Sequence, residues 1–267
     1  MSMFRGVRVY YTIVDTALSK SGLPGLDYAL NPYLGCSHGC IYCYARMYTR
    51  DKRASSNWGR VVVVKKNLVD VLREEVARYK PGTVGVGTIT DPYQPVEAIY
   101  GLTRRSIETL VAKGFQVSIQ TKNPLVLRDL ELLAEHRSLV DVGFTITTLE
   151  WRKASLIEPS APPPRARALA LRKLAGKGVK TWVFYGPIIP GFNDGDEEIE
   201  VITSLAAETG SALYYDPLHV KPFMKSPLYP LSANTSMVRR DWWRRVEKRI
   251  RETCREKRVV CKGGFTA

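Results

Sequence analysis

The sequence is short of several things that define other classes of protein. No stretch approaches the about eighteen uninterrupted apolar residues of a membrane span, and the N-terminal MSMFRGVRVYYTIVD has no apolar h-region, so a soluble, cytoplasmic protein without a membrane partner is expected. Acidic residues are scarce: 26 Asp and Glu face 40 Lys and Arg, and the net charge of +14 points to a polyanionic partner such as nucleic acid. Glutamine occurs three times in 267 residues, a weak sign of a heat-adapted source. Cysteine is few and odd in number, five in all, with none between Cys43 and Cys254. That distribution argues against a secreted disulfide framework and for metal binding in a reducing compartment.

What is present alternates. Short β-rich runs, LDYALNPYLG, TVGVGTIT (83–90), FQVSIQT (115–121), VDVGFTIT (140–147), GVKTWVFY (178–185) and SALYYD (211–216), are separated by helical segments, several closed by a glycine. Six β/α units predict a parallel sheet and an α/β fold, a partial (β/α)6 TIM-type barrel over residues 1–220. A complete eight-unit barrel wants roughly 250 residues, and the segment after Pro217 reads as something else. Residues 221–267 are expected to be a Pro-rich loop and a basic helix near Val238–Cys254. Trp242, Val246, Ile250 and Cys254 recur at i+4, so that face should pack on the barrel. EPSAPPPR at 158–165 reads as a Pro-rich connector before a helix.

The basic excess is uneven. Ten Lys and Arg oppose four Asp and Glu from Arg239 to Arg258, and seven oppose one from Arg46 to Lys66. In an open barrel the first and last units border one gap. Arg46, Arg50, Lys52 and Arg53 with Arg244, Arg245 and Arg249 would then form a positive rim for phosphates; a solvated outer face is the plainer reading of the same charges.

GCSHGCIYCYAR (35–46) carries Cys36, Cys40 and Cys43 in a loop after the first strand, at the end of the barrel where chemistry gathers. Structural zinc closes with four protein ligands, and an ordinary iron–sulfur cluster takes four cysteines. His38 as a fourth ligand would have to reach the metal from inside the same tight loop, under strain. Three thiolates on three corners of a four-iron cube leave one iron open to a small chelating ligand.

The C-x3-C-x2-C spacing, with Tyr42 before the last cysteine, resembles the radical S-adenosylmethionine (SAM) superfamily. NPYLGCSHGCIYCYAR, GTITDPYQPVE, TKNPLVLRDLELL, EPSAPPPRARALALRKLAGKGV and PIIPGFND are similar to its spore photoproduct lyase-like branch, often labelled DNA repair photolyases, over about residues 28–220. The resemblance implies an enzyme in which Cys36, Cys40 and Cys43 ligate a [4Fe-4S] cluster and SAM chelates the fourth iron. It further implies Tyr42 and Tyr44 beside the adenine, Thr88, Thr90 and Asp91 near the methionine amino group, Lys122 on the methionine carboxylate, and Thr145 or Thr147 at the ribose. A one-electron donor such as ferredoxin or flavodoxin would reduce the cluster, and a 5′-deoxyadenosyl radical would take hydrogen from the substrate. Nucleic acid is the expected substrate, a peptide or small metabolite the alternative; a non-catalytic iron–sulfur or zinc nucleic-acid-binding protein is a further one.

One position departs from the branch. In the lyase a cysteine just before the residue matching Thr90 returns hydrogen to the product, and here that position is Ile89. Tyr93, Cys254 and Cys261 are the remaining donor candidates, although Cys254 lies on its helix's apolar stripe and the pair could instead form a tail disulfide.

Overall fold

In a computed structural model of the chain, which describes residues 2–4 by their backbone and residues 6–264 in full, the β-rich runs pair into two sheets. The strands are β1 (Ser2–Phe4), β2 (Val7–Thr12), β3 (Leu18–Lys20), β4 (Tyr28–Leu30), β5 (Tyr33–Leu34), β6 (Val61–Lys65), β7 (Thr83–Val86), β8 (Gln116–Thr121), β9 (Val140–Thr145), β10 (Lys180–Ile188), β11 (Ala212–Pro217) and β12 (Cys261–Gly263). The helices are α1 (Ala45–Tyr48), α2 (Lys52–Ser56), α3 (Leu68–Val76), α4 (Glu97–Tyr100), α5 (Leu102–Val111), α6 (Leu130–Glu135), α7 (Trp151–Ile157), α8 (Pro164–Gly176), α9 (Asp196–Glu208), α10 (Ser232–Ser236) and α11 (Arg240–Glu256). No helix among the described residues is long and apolar enough to cross a membrane.

The larger sheet has the order β12-β11-β10-β9-β8-β7-β4-β3. From β4 to β12 every pairing is parallel, and only the edge strand β3 runs antiparallel. Helices lie in each crossover, as parallel pairing requires. The two edges are not paired to each other, so this is an open, partial barrel. All six strands read from the sequence are present, in sequence order.

Alternation along the strands separates two faces. Val84 and Val86, Val117 and Ile119, Val140, Val142 and Phe144, Val183 and Tyr185, and Leu213 and Tyr215 are buried in one apolar core with helical residues such as Leu72, Ile107, Leu171 and Ile202. The opposite face lines the lumen and is more polar. There Ser118 Oγ and Trp182 Nε1 both donate to Asp141 Oδ1 at 2.7 Å, and Gln120 Nε2 donates to Thr145 Oγ1 at 3.0 Å.

Two elements differ from the sequence reading. Residues 61–64, four valines, form the centre of a second sheet of order β1-β2-β6-β5, so part of 1–220 lies outside the barrel and the basic segment 46–66 contains a buried strand. The β propensity of four β-branched residues is a plain signal, hidden by reading that stretch for its charge. The tail also does not end as a helix: α11 packs beside α9, and β12 then pairs with β11 as a seventh parallel strand. Trp242, Val246, Ile250 and Cys254 are the buried residues of α11, the face its periodicity predicts.

Candidate active site

The cysteine loop is held by a close approach of backbones. A Cβ on Gly35 (φ +81°) would stand 2.5 Å from the Val61 carbonyl oxygen, and one on Gly39 (φ +64°) 3.2 Å from the Gly59 Cα, so glycine at both lets the loop lie against β6. The loop's polar groups are bonded from several sides. Ser37 N–H donates to Gln94 Oε1 (2.9 Å), Ile41 N–H to the Ile157 carbonyl (3.0 Å), and the His38 carbonyl accepts from Ser160 N–H (3.1 Å).

Cys36 and Cys40 are buried, Cys43 is partly so, and all three are free thiols. Burial raises each pKa, Cys40 to about 12, and for Cys36 the nearby Asp91, Cys40 and Cys43 add to it. Neutral thiols are thus the form these sites favour without metal, and metal binding would displace their protons. Among the described residues no three His, Cys, Asp or Glu side chains converge closely enough to hold a single metal ion. His38 Nδ1 lies 3.3 Å from Asp91 Oδ2. Three free cysteines on one loop can supply three ligands to an iron–sulfur cluster.

Beside the thiols is a buried charge network that sequence reasoning missed. Glu158 and Arg167, both fully buried, pair at 2.5 Å across the proline connector, and Arg167 Nη1 also donates to the Thr145 carbonyl (3.1 Å). Tyr42 OH donates to Glu158, and Lys122 Nζ lies 5.7 Å from the Tyr42 ring centre. Burial works against charge on Glu158, but Arg167, Lys122 and the Tyr42 hydroxyl outweigh it and lower its pKa. Burial likewise disfavours charged Lys122, but the Coulomb pull of Cys40, in its thiolate form, and of Glu158 outweighs it and raises the lysine pKa. A glutamate before a proline run, with an arginine just beyond, was the available signal.

The remaining sequence candidates divide. Thr145 lies in the lumen with Gln120, Thr147 is buried with its hydroxyl 3.4 Å from Glu158, and Thr88 accepts from Asn31 Nδ2 (2.9 Å) while its carbonyl takes the Tyr44 hydroxyl (2.8 Å). Thr90 and Asp91 make hydrogen bonds that brace the cysteine loop. Thr90 Oγ1 donates to the Gly35 carbonyl (2.7 Å) and accepts from Gln94. Asp91 accepts from Thr121 Oγ1, Lys122 N–H and Tyr93 N–H, so the GTITD segment after β7 ties the cysteine loop to the end of β8.

The hydrogen-donor candidates also change. Tyr93 is fully buried in the helix-side core, its hydroxyl on Asp129 (3.0 Å), which Arg104 and Arg128 pair. Cys254 and Cys261 are joined as a disulfide, so neither is a free thiol. In the expected rim, Arg50, Lys52, Arg244 and Arg245 are exposed, Arg245 with Asp241 as partner; Arg46 stacks 4.6 Å over Phe223, and Arg53 pairs with Asp51. Arg249 is tied to the Asp194 carbonyl and to Asp196, beside a cleft lined by Glu197, Glu200, Glu252 and Glu256, so it is not free for phosphate.

Comparison with known proteins agrees with this geometry. Residues 30–202 match the family described as the Radical SAM superfamily. An uncharacterized protein of Methanocaldococcus jannaschii is 33% identical over 204 residues, 76% of this chain and 75% of that one. One of Mycobacterium tuberculosis is 34% identical over 219 residues, 78% of this chain and 64% of that one. Spore photoproduct lyase, solved in complex with dinucleoside spore photoproduct, superposes with a TM-score of 0.73 over 96% of this chain and 81% of its own at 16% identity, a likeness of fold; another of its structures holds AdoMet. With a family match over most of the chain, an open parallel barrel and three free cysteines in the loop after its first strand, this chain belongs to the radical SAM superfamily, whose enzymes use a [4Fe-4S] cluster and SAM.

Proposed function

We propose that the protein abstracts hydrogen from a nucleic-acid substrate, with Cys36, Cys40 and Cys43 as the cluster's ligands and Tyr42, Tyr44, Thr88, Lys122, Thr145 and Thr147 around SAM. One observation carries the reading: three free thiols share a buried loop whose Tyr42 is held by the Glu158–Arg167 pair, with Lys122 5.7 Å from the Tyr42 ring centre. When bound, the cluster and SAM supply a one-electron break of the sulfonium S–C5′ bond and a carbon radical able to take hydrogen from a neighbouring molecule.

The chain's own groups do the rest. Lys122, whose pKa is raised, offers a charge-assisted donor to a carboxylate. Glu158 holds the Tyr42 ring through its hydroxyl, and Arg167 balances the Glu158 charge, so neither partner is buried unpaired. The lumen walls hold the reactants at contact distance and exclude water. No cysteine faces that space from the position of Ile89, so the product does not receive its hydrogen as in the lyase.

Nucleic acid as substrate is supported by the net charge of +14, by exposed Arg50 and Lys52 near the half-exposed rings of Tyr44 and Tyr48, and by the dinucleoside bound to the solved relative. The reductant is a ferredoxin or flavodoxin in the cytoplasm. Anaerobic reconstitution should give a brown protein that cleaves SAM with dithionite; a colourless zinc protein would end the enzymatic reading. Affinity for single-stranded and duplex oligonucleotides should fall linearly in log–log form with salt. No binding at low salt would move the substrate to peptides or small molecules.

A further inference from the structure

On β11 the side chains divide between the two faces of the sheet. Tyr215 turns outward, its ring 6.0 Å from Trp243 and its hydroxyl within reach of Glu247 and Arg251 on α11. Tyr214 turns inward, packing edge-on against Trp182 at 5.4 Å, and Trp182 in turn donates to Asp141 in the lumen. Asp216 follows Tyr214 by two residues and shares its face, at the C-terminal end of the strand, the end of the barrel that carries the cysteine loop.

The Asp216 side chain is 7% exposed. Oδ2 is held by His219 Nε2 at 2.8 Å, while Oδ1 is buried and has no hydrogen-bond partner among the described residues. A buried carboxylate oxygen without a donor is costly, and such groups in native proteins call for an explanation. The aromatic side chains of Trp182 and Tyr214 share the Asp216 face of the sheet. A Cβ on Gly264 would meet both the Asp216 Cβ (3.0 Å) and the Phe184 ring (3.3 Å), so the end of β12 backs this corner.

We propose that Asp216 anchors the substrate: Oδ1 accepts the ring N–H of a nucleobase lying in the lumen against this aromatic wall, and His219 fixes the carboxylate through Oδ2. The proposal rests on the nucleic-acid reading above. It adds a base class, one with an imide or lactam N–H, over bases whose ring nitrogens only accept. Aromatic faces suit any base and leave the choice to the hydrogen bond; a site built around an unpaired polar atom rejects an analogue that lacks the matching donor.

The test uses the anaerobically reconstituted protein with SAM and two probes, a thymidylate pentamer and the same pentamer methylated at every N3, which keeps the phosphates and removes the ring N–H. Fluorescence anisotropy should show wild type binding the unmethylated pentamer on the order of tenfold to a hundredfold more tightly. Asp216→Ala, checked for folding by circular dichroism, should bind both pentamers alike. Equal wild-type affinities overturn the proposal and leave the nucleic-acid reading standing, as does a ratio that survives in Asp216→Ala. If wild type binds neither pentamer, both fall. The wild-type comparison decides even if the variant does not fold.

Discussion

Two groups of cysteines lie toward opposite edges of one sheet and differ in chemistry. Cys36, Cys40 and Cys43 follow β4 and β5 as free thiols; Cys254 and Cys261, at the other edge, tie the end of α11 to β12. Cys254 is on the apolar face of its helix, and the seven residues to Cys261 turn the chain back so that the two Cα atoms lie 6.2 Å apart, within bridging range. The first group is kept apart by a loop bonded to the segments 88–94 and 157–160 and is backed by Lys122, Arg167 and Glu158. Surroundings, more than residue type, separate a metal-binding cysteine from a structural one.

The largest effect should come from that contrast. Replacing Cys36, Cys40 and Cys43 by alanine should abolish binding of the about four irons expected and all SAM cleavage; replacing Cys254 and Cys261 should leave iron and sulfide content unchanged. Retention of iron by the triple variant would erase the distinction.

Next is the charge network beneath the loop. Glu158→Gln leaves Arg167 buried without its counter-charge and should cost about 3–5 kcal/mol in urea unfolding. Lys122→Ala should weaken SAM binding by about 1.5–3 kcal/mol in calorimetry on the reconstituted protein, with iron content intact. Unaltered affinity would remove Lys122 from the site.

A smaller effect is expected in acid. The folded-state pKa values of Glu158 and Asp91 are lowered against the pull of burial, by Arg167 and His38 foremost. Their contribution is therefore present above their unfolded values, near pH 4, and is lost as pH falls through the lowered folded values. The urea midpoint of wild type should drop below about pH 4 more steeply than that of Glu158→Gln. Smallest of all, Arg172→Ala, on the same helix as Arg167 but in an exposed pair with Glu208, should leave the melting temperature where it was. A clear shift there would mean that burial does not separate the two pairs.

The cysteine motif, the six parallel strands and the apolar stripe of α11 were legible in the sequence because each is a local periodicity or spacing. Covalent distance along the chain carries that information. β6 was legible too, in its valines, but was read for its flanking charges.

Other features arise only when distant segments meet. The partners of Thr90 and Asp91, Gly35, Gln94 and Thr121 among them, reach them through space and make them braces for the cysteine loop. The pairing of Glu158 with Arg167, the capture of Arg249 by Asp194 and Asp196, and the unpaired oxygen of Asp216 are equally invisible to spacing. The sequence by itself determined which elements form and which residues can ligate iron. Tertiary structure alone decided which polar groups are consumed in holding the loop and which remain for a ligand, because a hydrogen bond is satisfied by proximity in space and burial sets the cost of leaving it unmade.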